Sequence, residues 1–354
     1  MATGTIFARV GGIDRNLSLL LGFTLAATLT VIGGVLGFKV IMKLQKLLTI
    51  SIVLMTLIYI ALTIDNVSWI TVTAVPSGNF QSFVGAVIFA ITGIGLGWVN
   101  AAADYSRYLP RSVSSTSVVG WTVLGASTVP IILVIYGAAL SGSSKSLSDA
   151  ISLDPIGALT TLLPTWFLIP FALVAILGLV GGAILNLYSS GLALVSMGVP
   201  VKRYQAAIID AIIMFGGAIY IVWVADNFFY PFQGFLITLG VPVAVWSSIF
   251  VADVLIRKKA YSEKDLFDPS GMYGSINKGS IALMIAGSII GWGFVTNTFA
   301  PWLEWQGYFL DLIGGKEGPW AYSNVGVIFA LLFGFFGHLL LATRKIRAQE
   351  SSLS

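Results

Sequence analysis

Cysteine is absent from the 354 residues, and histidine occurs once, at position 338. The first absence excludes disulfides and thiolate metal sites. The second, with no paired carboxylates inside any apolar segment, leaves no acid–base constellation for an enzyme. Charge is scarce as well: Asp, Glu, Lys and Arg make up 10% of the chain, against about 25% in soluble domains. What fills the chain is apolar, with 57% hydrophobic residues and a mean hydropathy of +0.93. Such a chain is an all-α polytopic membrane protein, because only helices and closed barrels satisfy the backbone in lipid and the short alternating strands of a barrel are missing. The net charge of +4 is no nucleic-acid signature, since the basic residues sit in short loops between apolar runs.

Nine runs are candidates for spans: 17–37, 47–64, 81–104, 114–140, 161–193, 205–224, 232–255, 280–299 and 323–343. Gly33, Gly34 and Gly37 suit the first to close helix contact, and Pro130 predicts a kink or weak point in the fourth. The loops at one end hold nearly all the Lys and Arg: Lys39–Lys46, Arg107–Arg111, Lys202–Arg203, Arg257–Lys278 and Arg344–Arg347. The other end carries only Lys145 and Lys316. The positive-inside rule makes the rich side cytoplasmic and puts the C-terminus inside a plasma membrane. Nine spans then leave residues 1–16 outside despite Arg9 and Arg15, an imbalance most simply removed by an odd number of further spans upstream. Trp302, Trp305, Tyr308, Trp320 and Tyr322 read as an aromatic belt on the outer face, His338 as an interface residue near the end of the last span, and the run at Arg257–Lys259 as a surface anchor.

Two stretches carry chemistry. In 81–110, QSFVGAVIFAITGIGLGWVNAAADYSRYLP, the apolar pattern is interrupted by Gly93, Gly95 and Gly97, directly before Trp98 and Asn100. Three glycines at alternate positions predict a broken helix, and broken backbone at membrane depth lines a cavity or is buried in protein. The same glycines also suit plain close packing of two helices. In FALVAILGLVGGAILNLYSSGLAL, Asn186 follows Gly178, Gly181 and Gly182. An asparagine inside an apolar span needs a partner, either a neighbouring helix or a ligand.

The run GWVNAAADYSRYLP resembles the sixth transmembrane helix of the nucleobase–cation symporter-1 family, closest to its purine–cytosine permease branch. NLYSSGL is similar to the family's eighth helix, VIGGVLGFKVIMKLQKLLTI to the end of its fourth and the loop into its fifth, and the segment after Asp253 to its tenth-to-eleventh loop. The resemblance implies an inverted five-helix-repeat transporter fold with broken helices. It makes these spans helices four to twelve of a twelve-helix carrier, an N-terminally truncated chain. Residues 1–64 are then a remnant of the first repeat, 65–255 a complete second repeat, and 256–354 two peripheral spans with a cytoplasmic tail.

Function follows from the same resemblance: cation symport of a nucleobase such as cytosine or a purine, with no cofactor beyond a coupling proton or sodium ion. Trp98 would stack on the ring, Asn186 would read its edge, and backbone at Gly95 and Gly97 with Asn100 would complete a substrate site. Two departures stand out. Gly182 and Leu185 occupy the places of a second asparagine and a proline in that branch. Where sodium-coupled relatives place hydroxyls, this chain has Val180 and Gly181, which leaves only backbone at Leu177, Val180 and Gly181 for a cation. Other readings are a carrier of allantoin, a hydantoin or a vitamin, and a fragment that does not transport.

Overall fold

The computed structural model describes residues 12, 14–35, 38–99, 101–110, 112–198, 200–297 and 301–352, with backbone alone for Phe38 and Arg203. Among them the fold is helical. Ten helices matter here: α1 Arg15–Val35, α2 Phe38–Thr63, α3 Phe80–Ala90, α4 Ala102–Ser106, α5 Ser115–Ser143, α6 Thr165–Ser196, α7 Arg203–Trp223, α8 Phe229–Ile256, α9 Lys278–Gly293 and α10 Gly326–Ser351. Among the described residues eight helices are long and apolar enough to cross a membrane, counting α3 with its continuation to Val99. The eighth expected span, 280–299, shortens to α9, 16 residues, about 24 Å at 1.5 Å per residue and under the usual span length. Its last turn closes at Gly291 and Gly293, where Phe294 N donates to the Gly291 carbonyl, and the chain leaves the helix.

The chain divides into two compact units, residues 1–76 with 101–229, and 77–100 with 230–354. This division cuts across the 65–255 segment expected as one repeat. In the first unit α6 is the central helix, packed on α1, α2 and α7. Small residues set those contacts. A Cβ on Gly33 or Gly34 of α1 would collide with Ile184 and Leu187 of α6, so the sequence reading of close contact there holds. A Cβ on Gly178 or Gly181 would come within 2.8 Å of Ile52 or Leu48 on α2. Phe23 of α1 meets Phe215 and Trp223 of α7 edge-on at 6.0 and 5.2 Å. A second cluster gathers Tyr59, Leu140, Leu163 and Phe167, where Tyr59 stacks on Phe171 at 5.2 Å and Thr63 shares a 2.6 Å hydrogen bond with Tyr136. α5 runs through Pro130 as one helix and buries none of its apolar window inside the fold. That exposure makes sense where the surrounding solvent is lipid.

In the second unit, Ile88 and Leu96 join Ile237, Val241 and Val245 of α8, Leu283 of α9, and Val327 and Ala330 of α10 in one core. Glycines again allow the approach. A Cβ on Gly326 would overlap the Gly291 carbonyl, and one on Gly287 would sit 2.8 Å from Val245. A buried polar layer lies at one end. Thr238 Oγ1 gives its proton to the Gly234 carbonyl at 2.7 Å and accepts from Asn297 Nδ2 at 2.9 Å and Gln306 Nε2 at 3.1 Å. The single hydroxyl proton thereby fixes both amides with nitrogen toward Thr238. Among the described residues their oxygens, with Thr296 Oγ1, are buried without a hydrogen bond.

Candidate functional site

The glycine-rich stretch does not simply break. After α3 the helix widens into a π-helical turn over Ile91–Leu96 and resumes for Gly97–Val99. The interruption comes later, beyond Trp98, where Ala101 lies in a turn before α4 begins at Ala102. The local cause is legible. Thr92 Oγ1 donates back to the carbonyls of Ile88 and Phe89, both at 3.0 Å, which bends a helix, and Gly93 and Gly95 supply little helix propensity to resist. Such π turns occur often at functional sites.

Among the described residues these glycines are not spacers for close packing. A Cβ at Gly95 or Gly97 would meet nothing within 4 Å, and one at Gly93 only Leu236 at 3.7 Å. The close approach falls instead on Gly240, whose Cβ would come within 2.8 Å of Thr92. Trp98 is 45% exposed, a large ring with a free face. Asn100, like Arg9, Gly37 and Arg111, lies outside the described residues.

Asn186 belongs to the other unit. It is exposed in the middle of the 32-residue α6, flanked by buried Leu187, Tyr188 and Ser189, and makes no hydrogen bond among the described residues. Among the described residues no interhelical hydrogen bond accounts for its side chain. Around it the polar groups are engaged. Ser189 Oγ donates to Tyr105 Oη at 3.4 Å, and Tyr105 Oη donates to the Leu185 carbonyl at 3.1 Å. The hydroxyls of Tyr108 and Tyr188 lie 3.0 Å apart. The DYSRY run after the interruption is thus docked beside Asn186, and sequence reasoning missed both tyrosines. Their spacing of three residues, one helical turn, was the available signal.

The backbone named for cation coupling is not uniform. Gln45 Nε2 of α2 donates to the Gly181 carbonyl at 2.7 Å, which occupies this helical oxygen's second lone pair. Leu177 is 41% exposed and Val180 is buried at 7%.

A third cluster sits at the end of α8. Asp253 accepts from Arg257 Nε at 2.7 Å, from the Tyr261 hydroxyl, and pairs with His338 Nε2 at 3.2 Å. Arg257 also donates to Gln349 at 3.1 Å and lies over the rings of Tyr261 and Tyr273 at 4.4 and 5.4 Å. His338, expected at the interface, is buried at 3%. Desolvation and the neighbouring Asp253 carboxylate both push the Tyr261 phenol above its ordinary value. The hydroxyl therefore stays protonated and donating at neutral pH. The cluster ties α10 to the loop after α8.

Among the described residues the fold is helical, with eight helices long and apolar enough to cross a membrane, as in a polytopic membrane protein. A family model described as "Permease for cytosine/purines, uracil, thiamine, allantoin" matches residues 4–310, and the chain belongs to that family. It is 22% identical over 296 residues to a protein of Bacillus subtilis (strain 168) named "Putative purine-cytosine permease YxlA", covering 81% of this chain. The chain spans 62% of that relative's length. No solved structure matches.

Proposed function

We propose that this chain takes part in carrying a nucleobase, or a related flat nitrogen-containing ring, across the plasma membrane by symport with a cation. The observation that carries the reading is Asn186, an amide with no hydrogen bond inside an apolar helix. An unpaired donor–acceptor pair at membrane depth costs free energy unless a ligand satisfies it, and a carboxamide matches the paired donor and acceptor on a base edge. The exposed ring of Trp98 supplies a stacking face, a contact contributing about 1–3 kcal/mol per base. Backbone at Gly95 and Gly97, where an added Cβ meets nothing among the described residues, and Asn100 are further proposed substrate contacts beside Trp98. The substrates in the family description and the relative's name agree with a ring of this class.

The inverted five-helix repeat, with 65–255 as one copy, supplies the frame for alternating access in this proposal. Cation coupling falls to backbone near Leu177 and Val180, with Gly181 less available because Gln45 holds its carbonyl. The basic loops face the cytoplasm, and the C-terminus with them. The test is uptake of labelled cytosine, adenine, hypoxanthine, uracil, thiamine and allantoin into vesicles, with and without sodium and with a protonophore. Saturable accumulation of one base that collapses when one cation gradient is removed supports the proposal. Accumulation of none, with insertion verified, refutes it.

A further inference from the structure

The segment after the interruption is held in an unusual way. Residues 102–110 comprise the five-residue α4 and a string of turns, and none of them belongs to a hydrophobic core cluster. Among the described residues, hydroxyls tie it to α6: Ser189 to Tyr105, Tyr105 to the Leu185 carbonyl, and Tyr108 with Tyr188. At 3.4, 3.1 and 3.0 Å they lie at or beyond the long end of the O–H···O range. They also bracket Asn186, starting one residue before it and ending three residues after it. In the proposed orientation α6 runs from the outer side to the basic inner loop at Lys202. Tyr188 and Ser189 then lie about 3–4.5 Å inward of Asn186 at 1.5 Å per residue.

We propose that Tyr105 and Tyr108 form a latch that closes the inner side of the site at Asn186, and that releasing these hydroxyls from α6 opens the path to the cytoplasm. This rests on the reading of Asn186 as a substrate residue. The physical argument is one of cost. A segment anchored by apolar burial leaves its seat only by exposing that surface. One anchored by a few hydroxyls exchanges them for water at little net cost, because hydrogen bonds to water replace them. A gate needs two arrangements of similar free energy, and this attachment provides one. Arg107 does not lock it: its guanidinium lies over the Tyr108 ring at 5.2 Å, on the same segment, and moves with it.

The cysteine-free chain allows a direct test. Gly182 lies one turn outward of Asn186 on the same face of α6, and a Cβ there meets nothing within 4 Å, so Gly182→Cys is a reporter that fits. In inside-out vesicles of the full chain, its labelling by a membrane-impermeant maleimide reads access from the inner side. Tyr105→Phe and Tyr108→Phe should each raise the labelling rate about two- to tenfold, the factor for losing one net hydrogen bond. Tyr59→Phe, which removes a hydroxyl donating to the Leu159 carbonyl at 3.3 Å in another cluster, should leave it unchanged. Parent rates in both latch variants overturn the latch, as does an equal rise in Tyr59→Phe, which marks general loosening. Protection of the reporter by cytosine or adenine separates the two readings. Faster labelling in the latch variants without protection by any base keeps the latch and rejects the ring. Protection without faster labelling keeps the ring and rejects the latch.

Discussion

Replacing single glycines by alanine separates the two jobs glycine does in this fold. At Gly326 an added methyl would overlap the backbone carbonyl of Gly291 and approach Val295 Cγ1 at 2.9 Å. The obstacle is backbone on the facing helix α9, so relief requires α9 and α10 to separate. Overpacking of this kind costs about 1–3 kcal/mol, and the core around Val327 and Ala330 would loosen with it. At Gly95 the same methyl meets nothing within 4 Å, while alanine is about 1 kcal/mol better than glycine in a helix. Gly326→Ala should therefore lower the melting temperature of the detergent-solubilised protein by several degrees. Gly95→Ala should hold or raise it while reducing transport, because straightening the π turn at Ile91–Leu96 changes how Trp98 is presented. The assay is thermal melting followed by size-exclusion chromatography, run beside uptake. A Gly95→Ala variant as unstable as Gly326→Ala would refute the assignment of open space beside the π turn.

Three further outcomes follow from the geometry. Asp253→Asn removes the carboxylate that Arg257, Tyr261 and His338 share, and breaking a buried charged pair costs about 3–5 kcal/mol. The pair here is partly solvated, so a loss nearer the lower figure should appear as early protease cleavage in the loop 257–277. Gln45→Leu leaves the Gly181 carbonyl without its 2.7 Å donor and should cost about 1 kcal/mol; an unchanged melting temperature would show the contact to be incidental. For topology, Ser323 is buried at 2% and unsuitable for labelling, whereas Glu317 is exposed. Glu317→Cys should react from outside intact cells, and reaction only after permeabilisation would reverse the orientation.

The spans were legible in the sequence because apolar length alone decides what crosses lipid, and the close contact of Gly33 and Gly34 followed from their size. The helix distortion was legible in place but not in kind. Glycine spacing signals weak helix, but whether it unwinds or widens into a π turn depends on Thr92 bonding back to Ile88 and Phe89. Contacts between distant segments were not legible. Tyr105 and Leu185 are 80 residues apart and His338 and Asp253 85 apart, so the histidine looked like an interface residue until tertiary packing placed a carboxylate beside it. The shortening of the eighth run to α9 depended on where the chain turns after Gly291 and Gly293, and hydropathy does not record that.

The central proposal is that Asn186 and Trp98 are each contacts for a flat nitrogenous ring, and binding of a base to the purified chain tests it most directly. Calorimetric titration with cytosine, adenine, uracil and allantoin should find one ligand whose Kd rises roughly 5- to 150-fold in Trp98→Ala, the equivalent of losing about 1–3 kcal/mol of stacking. The rise should be smaller in Trp98→Phe, which keeps a π face, and Asn186→Ala should weaken the same ligand. A ligand that binds equally well to the parent and to both alanine variants would contradict the claim.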